Sequence, residues 1–158
     1  MKKIQLAAMA IIALLTFSCS DDNDNPTPVP VNDDTYIEFK INGTQVNMDE
    51  PGTITSLMAS ISATKDEGAD IRAIVLTIPV DATEGTHTIT DASPSDLTAY
   101  SAHYSMGDVS FNASSGTMVI SDIGAEYMEG TFTFTGEYEG VTYNVTEGKF
   151  SAYKPNND

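Results

Sequence analysis

The sequence predicts an all-β domain, an antiparallel β-sandwich or up-and-down barrel of roughly eight to ten strands, over residues 35–158. From Tyr36 onward, apolar side chains recur at every second position, which is the period of a strand with one buried face. Turn sequences such as Asn42-Gly43 and Glu139-Gly140 separate these runs at the spacing of β-hairpins. The 158 residues, of which 41% are hydrophobic, suffice for one such domain.

Alternation and turn residues predict the first strands in order. Ile37, Phe39 and Ile41 place apolar side chains on one face of the first strand. Asn42-Gly43 then favours a type I′ turn, with Thr44 to Met48 as the returning strand. Four apolar residues at alternate positions predict a further strand: Leu57, Ala59, Ile61 and Ala63.

The strongest strand pattern runs from Ile71 to Val80. Both faces of this segment are fairly apolar, so we expect it in a central position of the sheet, with Val80 on the same buried face as Ile74. Gly85 to Thr90 is predicted as a short strand. Between Asp91 and Leu97, Ser93 and Pro94 suit the start of a helix, and one helical turn is expected there.

The second half of the domain is predicted as a meander of longer strands. A strand from Tyr100 is expected to turn at Met106-Gly107-Asp108, and the chain to turn again at Ser114-Ser115-Gly116. Glu126 to Tyr138 and Val141 to Tyr153 then form a long hairpin, with a bulge at Gly148 where the alternation changes phase.

The N-terminus has the layout of a secretory signal peptide, residues 1–18. Met1-Lys2-Lys3 supplies the positive start, and an apolar run follows from Ile4 to Leu15. A small residue, Ser18, directly precedes the only cysteine, Cys19, and this arrangement resembles the lipobox of bacterial lipoproteins. The resemblance implies that Cys19 becomes the acylated first residue of the mature chain, which acyl chains then hold to a membrane. The alternative is an ordinary signal peptide with an incidental cysteine.

The segment after Cys19 predicts an export signal and a tether. Ser20, Asp21, Asp22 and Asp24 resemble the acidic export signal of Bacteroidetes-type lipoproteins, which implies the outer face of the outer membrane. A solvated linker and a calcium loop are the alternatives, although the glycine and closing glutamate of a calcium loop are missing. Alternating prolines from Pro26 to Pro30 keep the chain extended, so residues 19–34 are predicted as a lipidated N-terminus and disordered tether.

A second resemblance covers the last third of the chain. The segments Gly130 to Gly136 and Tyr143 to Phe150 are similar to small Bacteroidetes lipoproteins of unknown function that end in a G-x-F…T-x-G-x-F pattern. The resemblance implies phenylalanines in the core, glycines at turns or bulges, and a domain of possible calycin or lipocalin type. The lipocalin Gly-x-Trp motif is excluded because the chain has no tryptophan.

Composition and motifs argue against most kinds of chemistry. Seven basic residues against 23 acidic ones give a net charge of −16, which repels nucleic acid. One cysteine forms neither an internal disulfide nor a thiolate zinc site. Only His87 and His103 could serve a serine nucleophile, and no nucleophile elbow, phosphate loop or dinucleotide fingerprint is present. No catalytic, cofactor-binding or metal-binding residue is therefore predicted.

Two kinds of residue leave a binding or catalytic interpretation open. The pairs Glu126 with Glu129 and Glu137 with Glu139 could act as acid and base on a glycoside, although acidic side chains on a solvated face are the simpler interpretation. Three tyrosines near predicted turns could form a platform for a sugar ring, or pack as ordinary strand residues: Tyr100, Tyr104 and Tyr127.

These observations predict a non-catalytic lipoprotein on the outer membrane, facing the cell exterior. Its partners are the membrane, through the N-terminal lipid, and an extracellular glycan or protein, for which it acts as a binding or assembly module. One alternative is a lipocalin-like carrier of a small apolar ligand inside a barrel. The other is a hydrolase that uses carboxylates.

Overall fold

The structure is a computed structural model that describes residues 35–48, 52–57, 60–93 and 95–154, with the backbone alone for 52–57. These residues belong to one structural unit, Asn32–Asp158. The predicted signal peptide, Cys19, the acidic export signal and the tether up to residue 34 lie outside the described residues.

Within that part of the chain the structure contains ten strands and no helix, so the all-β prediction is confirmed. In chain order the strands are β1 (Tyr36–Ile41), β2 (Thr44–Asn47), β3 (Gly52–Leu57), β4 (Ser60–Asp66), β5 (Ile71–Thr77), β6 (Gly85–Ile89), β7 (Ser101–Met106), β8 (Val109–Ile123), β9 (Tyr127–Tyr138) and β10 (Val141–Tyr153).

Nine strands follow one antiparallel path in the order β2-β1-β10-β9-β8-β7-β5-β4-β3, and β6 pairs with the second half of β8. Most neighbours are consecutive in the chain, as in a meander. The main departure is that β1 pairs with the last strand, β10. The expected central position of β5 is confirmed, since β4 and β7 flank it.

The sheet curls into a half-barrel. Phe39 on β1 lies four places from Tyr104 on β7 along the sheet, a separation of about 19 Å if the sheet were flat, at ~4.8 Å per strand. The two ring centroids are 6.1 Å apart, edge to face, across the inside of the curl. The Lys65 side chain on β4 also donates to the Asn47 carbonyl on β2, at 2.8 Å. The inner face is therefore folded upon itself.

Side chains fill the inside of this curl. The bulkiest fully buried ones include Phe39, Phe132, Phe134, Phe150 and Met118. As the alternation predicts, Phe132 and Phe134 point inward from β9 while the intervening threonines lie on the outer face. Burying such side chains contributes about 1.5–3 kcal/mol each, so this apolar interior is the main stabilising feature of the sheet.

Glycines of the last three strands allow phenylalanine rings to lie directly on the backbone. A Cβ added at Gly130 would come within 2.7 Å of the Phe150 ring, and one at Gly148 within 2.5 Å of the Phe132 ring. Each glycine is the cross-strand partner of the phenylalanine that covers it. The expectation that these glycines mark turns or bulges is therefore wrong for Gly130, which lies within a strand.

At Gly148 the expectation is only half right. The register does shift between Val145 and Gly148, which confirms the bulge. The left-handed backbone that the bulge requires is at Glu147, with a φ of 53°. Gly148 itself is needed because the ring of Phe132 occupies the space of a Cβ.

The two predicted hairpin turns are confirmed. Asn42 and Gly43 have φ values of 47° and 82°, and Glu139 and Gly140 have values of 50° and 77°. Positive φ at both central residues is the geometry of a type I′ turn, which matches the twist of the flanking strands.

The predicted turn at Ser114-Ser115-Gly116 is wrong, because β8 continues through it to Ile123. A bulge between Ala113 and Ser115 absorbs the irregularity. The Ser114 hydroxyl donates to the Thr135 carbonyl at 3.1 Å, so pairing with β9 outweighs the local turn preference.

The structure contradicts three further predictions, for the segments 57–63 and 91–97 and for Val80. The strand predicted through Leu57 to Ala63 is interrupted, since Leu57 ends β3 and lies opposite Ser60 at the start of β4. No helical turn forms between Asp91 and Leu97 among the described residues, where the Asp96 amide instead closes a turn onto the Ser93 carbonyl at 2.8 Å. Val80 is exposed rather than buried, because β5 ends at Thr77.

Gly136→Ala tests the close approach of rings to backbone. The new Cβ would overlap the Phe111 ring and lie 2.7 Å from the Asn112 carbonyl. We expect the free energy of unfolding, measured by urea denaturation, to fall by about 1–3 kcal/mol. The control is Glu137→Ala, next to Gly136 on the exposed outer face of the same strand, which should change stability by ~0.5 kcal/mol or less. Equal stability of both variants and the wild type would contradict this packing.

Candidate functional site

The three tyrosines proposed as a platform lie in three separate places. Tyr100 stacks on His87, with ring centroids 4.1 Å apart. Tyr104 is buried inside the curl, and Tyr127 stacks on Tyr153. Between the neighbourhood of Tyr104 and that of Tyr127, β8 runs from Phe111 to Ile123, about 40 Å of strand at ~3.3 Å per residue. A platform at one place therefore contains only one of them.

Tyr127 belongs to a groove on the outer face of the sheet, which we call the tyrosine groove. It has a volume of about 510 Å³. Its lining residues are Tyr36, Asp122, Gly124, Ala125, Glu126, Tyr127, Glu129 and Ser151. Strand register explains why they meet: Asp122, Glu129, Ser151 and Tyr36 are successive cross-strand partners on β8, β9, β10 and β1.

A pair of stacked tyrosines borders this groove. Tyr127 and Tyr153 are cross-strand partners, and their ring centroids are 4.7 Å apart with planes inclined by 30°. Tyr153 is exposed at the sheet surface. A hydrogen bond with Tyr127, together with some burial, raises the pKa of Tyr153 above its ordinary value. The phenol therefore stays protonated at neutral pH and is able to donate a hydrogen bond.

The groove carries unbalanced negative charge. Asp122 and Glu129 face each other directly across β8 and β9, and Glu126 lines the same groove. Like charges in this position destabilise a sheet by about 0.2–1 kcal/mol. Lys149, one row along on β10, is paired with Glu38 at 3.1 Å, and that contact raises the pKa of Lys149. The groove thus offers several carboxylate acceptors without a cation among its lining residues.

The predicted acidic pairs separate in the structure. Glu126 and Glu129 both line the tyrosine groove. Glu137 and Glu139 lie at the far end of the β9–β10 hairpin, where Glu139 is a turn residue with a φ of 50°. The groove therefore contains a carboxylate pair, and the hairpin pair belongs to another surface.

The two histidines lie elsewhere and have other partners. His87 Nε2 is 2.8 Å from the Thr83 carbonyl, and His103 Nδ1 is 2.9 Å from the Asn112 side-chain oxygen. Neither lines the tyrosine groove. Among the residues that the structure describes, no cluster of three or more His, Cys, Asp or Glu side chains could hold a metal ion.

A second cavity, which we call the mouth pocket, lies where β1, β5, β7, β8 and β10 bring their ends together. It has a volume of about 440 Å³. Its apolar lining consists of Ile41, Tyr104, Met106, Val109 and Tyr143. Tyr143 stacks on Phe111, with centroids 5.1 Å apart, so the aromatic wall of the pocket continues into the core.

A buried arginine lies in this pocket. Arg72 donates from Nη1 to the Tyr104 hydroxyl at 2.6 Å and from Nε to Glu67 at 3.0 Å. Only 12% of the Arg72 side chain is exposed. Burial raises the pKa of Tyr104, and the guanidinium opposes part of that increase. The pair fixes both side chains at the base of the pocket.

Several residues of the two cavities were not predicted from the sequence. Arg72 is the second residue of a strand with an ordinary pattern. Asp122 meets Glu129 only through the register of β8 and β9, and Tyr153 meets Tyr127 through that of β9 and β10. A signal for Tyr153 did exist, since it occupies the outward phase of the predicted hairpin opposite Tyr127. Arg72 carried no local signal, because its role depends on the curl that brings β1 and β10 close to β5.

No family model, curated protein or solved structure matches the chain. None of the described residues forms a helix with the length and hydropathy needed to cross a membrane.

Comparison of the wild type with Tyr104→Phe tests the hydrogen bond from Arg72 at neutral pH and the burial of Tyr104 at alkaline pH. At neutral pH the variant should be about 1 kcal/mol less stable than the wild type, because a buried hydrogen bond is lost. The raised pKa means that the folded state holds the Tyr104 proton more tightly than the unfolded chain. Its stabilising contribution is complete below the unfolded pKa of about 10 and is lost as pH rises through the folded pKa.

We therefore expect the stability difference between the two proteins to shrink as the pH rises above the unfolded pKa of about 10, as measured by urea denaturation at a series of pH values. A difference that stays constant over this range would contradict a buried, protonated Tyr104.

Proposed function

We propose that this chain is a lipid-anchored, non-catalytic binding module of the cell exterior, and that the tyrosine groove binds a glycan. The observation that supports this proposal is the stacked pair of Tyr127 and Tyr153 beside three carboxylates of the groove, those of Asp122, Glu126 and Glu129. A sugar ring has apolar C–H faces and a rim of hydroxyl groups. An aromatic surface contacts the faces, and carboxylates accept hydrogen bonds from the hydroxyls with the strength of charge-assisted contacts.

The unfavourable charge arrangement also supports a binding role. Asp122 and Glu129 repel each other across the strands, whereas Lys149 and Glu38 form an ion pair one row away. Proteins retain locally destabilising arrangements mainly where function requires them. A ligand that donates several hydroxyl hydrogens to the two carboxylates would relieve the repulsion.

The alternatives have weaker support. A carrier inside a barrel needs a sizeable internal cavity, but the inside of the curl contains Phe39, Phe132, Phe134 and Phe150. A hydrolase needs two acids in a cleft, and Glu126 with Glu129 meets that condition in part. We favour binding because the carboxylates lie on an open outer face of the sheet, where solvent reaches them.

Anchoring rests on the sequence. The positive start, apolar run, Cys19 and acidic segment resemble a lipoprotein precursor of Bacteroidetes type, and they support location at the outer membrane, facing outward. The chain enters the described domain beside Tyr36, at the groove end of β1. We propose that residues 19–34 present the domain to extracellular glycans.

Metabolic labelling with an alkynyl fatty acid tests the anchor. We expect the wild type to incorporate the label and Cys19→Ala to lose it, because Cys19 is the only cysteine. Ser20→Ala is the matched control and should keep the label. A wild-type protein that carries an unmodified thiol at position 19, seen by mass spectrometry, would contradict lipid attachment.

A glycan array, followed by titration with the best oligosaccharide, tests the tyrosine groove. Tyr153→Ala should weaken binding at least tenfold, because it removes an exposed aromatic contact. The control is Tyr138→Ala, which removes a tyrosine from the opposite end of the same hairpin and should leave affinity unchanged.

Glu129→Gln gives a second readout. This variant should weaken glycan binding while raising the free energy of unfolding by about 0.2–1 kcal/mol, since it removes the repulsion with Asp122. Absence of glycan binding by the wild type, capture of a protein instead, or release of a shortened sugar would each overturn the proposal.

A further inference from the structure

The mouth pocket is a second cavity, at the opposite end of β1 from the tyrosine groove. Tyr36 begins β1 and lines the groove, whereas Ile41 ends β1 and lines the pocket. Five residues of extended chain, about 17 Å at ~3.3 Å per residue, separate them. The two cavities share no lining residue, so a ligand bound in one of them does not contact the lining of the other.

The walls of the pocket are apolar and incompletely covered. Ile41, Met106, Val109 and Tyr143 are half-buried, with one side against the core and the other toward the cavity. A volume of about 440 Å³ lies within the usual range of ligand sites, roughly 300–1,000 Å³. A small apolar group is therefore able to displace water from this surface.

The charged residues of the pocket determine which polar group a ligand can carry. Arg72 is the positive side chain of the lining, and Glu67 and the Tyr104 hydroxyl already accept hydrogen bonds from it. Asp70 and Asp108 also line the pocket. Because Glu67 forms an ion pair with Arg72, the charges of these two aspartates are left without a positive partner in the lining. The local field therefore favours a cation and disfavours a carboxylate or phosphate.

The two rim carboxylates belong to neighbouring turns and both lie beside Gly107. Asp108 follows Gly107 in the β7–β8 turn, and the Asp70 carboxylate packs against Gly107, where an added Cβ would be 3.0 Å from its Oδ1. The negative field extends to the next hairpin, since Glu139, and to a lesser degree Asp108, raises the pKa of Tyr138. Asn42 is already engaged, because its side chain accepts from the Asn144 amide at 2.9 Å.

We infer that the mouth pocket binds a small organic cation, with its apolar body against Tyr143, Met106 and Ile41 and its ammonium group between Asp70 and Asp108. Arg72 lies at the base, where the ion pair with Glu67 offsets its charge and the hydrogen bond to Tyr104 orients the aromatic wall. The ligand class is a primary amine with an apolar chain or ring of about six carbons.

A matched series of three compounds tests this inference: hexylammonium chloride, 1-hexanol and sodium hexanoate. Binding is followed in the full chain by NMR of the Met106 methyl and the Tyr143 ring. We expect a dissociation constant on the order of 1 mM for hexylammonium, at least tenfold weaker binding of hexanol, and weaker binding still of hexanoate. Raised salt should weaken the binding of the amine alone.

Asp108→Asn should weaken hexylammonium binding about tenfold, because an exposed rim charge is removed without loss of packing. Asp91→Asn is the control, because it removes an exposed carboxylate outside the pocket, and it should leave the affinity for hexylammonium unchanged. Preference for hexanoate, equal binding of all three compounds, or an unaltered affinity of Asp108→Asn would overturn the inference. Glycan binding by Asp108→Asn should equal that of the wild type, so failure here is distinguishable from failure at the groove.

Discussion

The shape of this sheet depends on phenylalanine rings that lie directly on glycine backbone. Phe150 covers Gly130, Phe132 covers Gly148 and Phe111 covers Gly136, each from the neighbouring strand. A glycine leaves the inner face without a side chain at that position, which allows the strand to bend toward that face while the ring of the neighbouring strand fills the space. The curl then brings Phe39 within 6.1 Å of Tyr104 and closes the interior.

A filled interior leaves the outer face and the strand ends as the places where ligands can bind. At the groove end, register aligns Asp122 with Glu129 and Tyr127 with Tyr153, so a polar and aromatic surface forms across the neighbouring strands. At the mouth, the curl is what brings β1 and β10 close to β5 and β7. That cavity is consequently apolar, with a buried arginine at its base. One architecture thus supplies two surfaces of different chemistry.

Much of the fold was predictable from local patterns, while the sites depended on register and curvature. Alternation predicted β1 and β9, and alternation with a change of phase at Gly148 predicted β10. The turn-forming dipeptides Asn42-Gly43 and Glu139-Gly140 predicted the hairpin turns, whose φ values are positive. The turn expected at residues 114–116 failed because pairing with β9 outweighs turn preference, a long-range effect that no short window contains. The proposed tyrosine platform combined residues that are near turns in sequence, but the register along β8 places Tyr104 and Tyr127 at opposite ends of that strand.

The proposed function depends on glycan binding in the tyrosine groove. Its most direct test is the aromatic ¹H–¹³C NMR spectrum of the protein during titration with an oligosaccharide. Binding in the groove predicts shifts of the ring signals of Tyr127 and Tyr153, which stack 4.7 Å apart, with those of Tyr104 and Tyr143 unchanged. Shifts confined to the mouth pocket, or an oligosaccharide that moves no tyrosine signal, would contradict it.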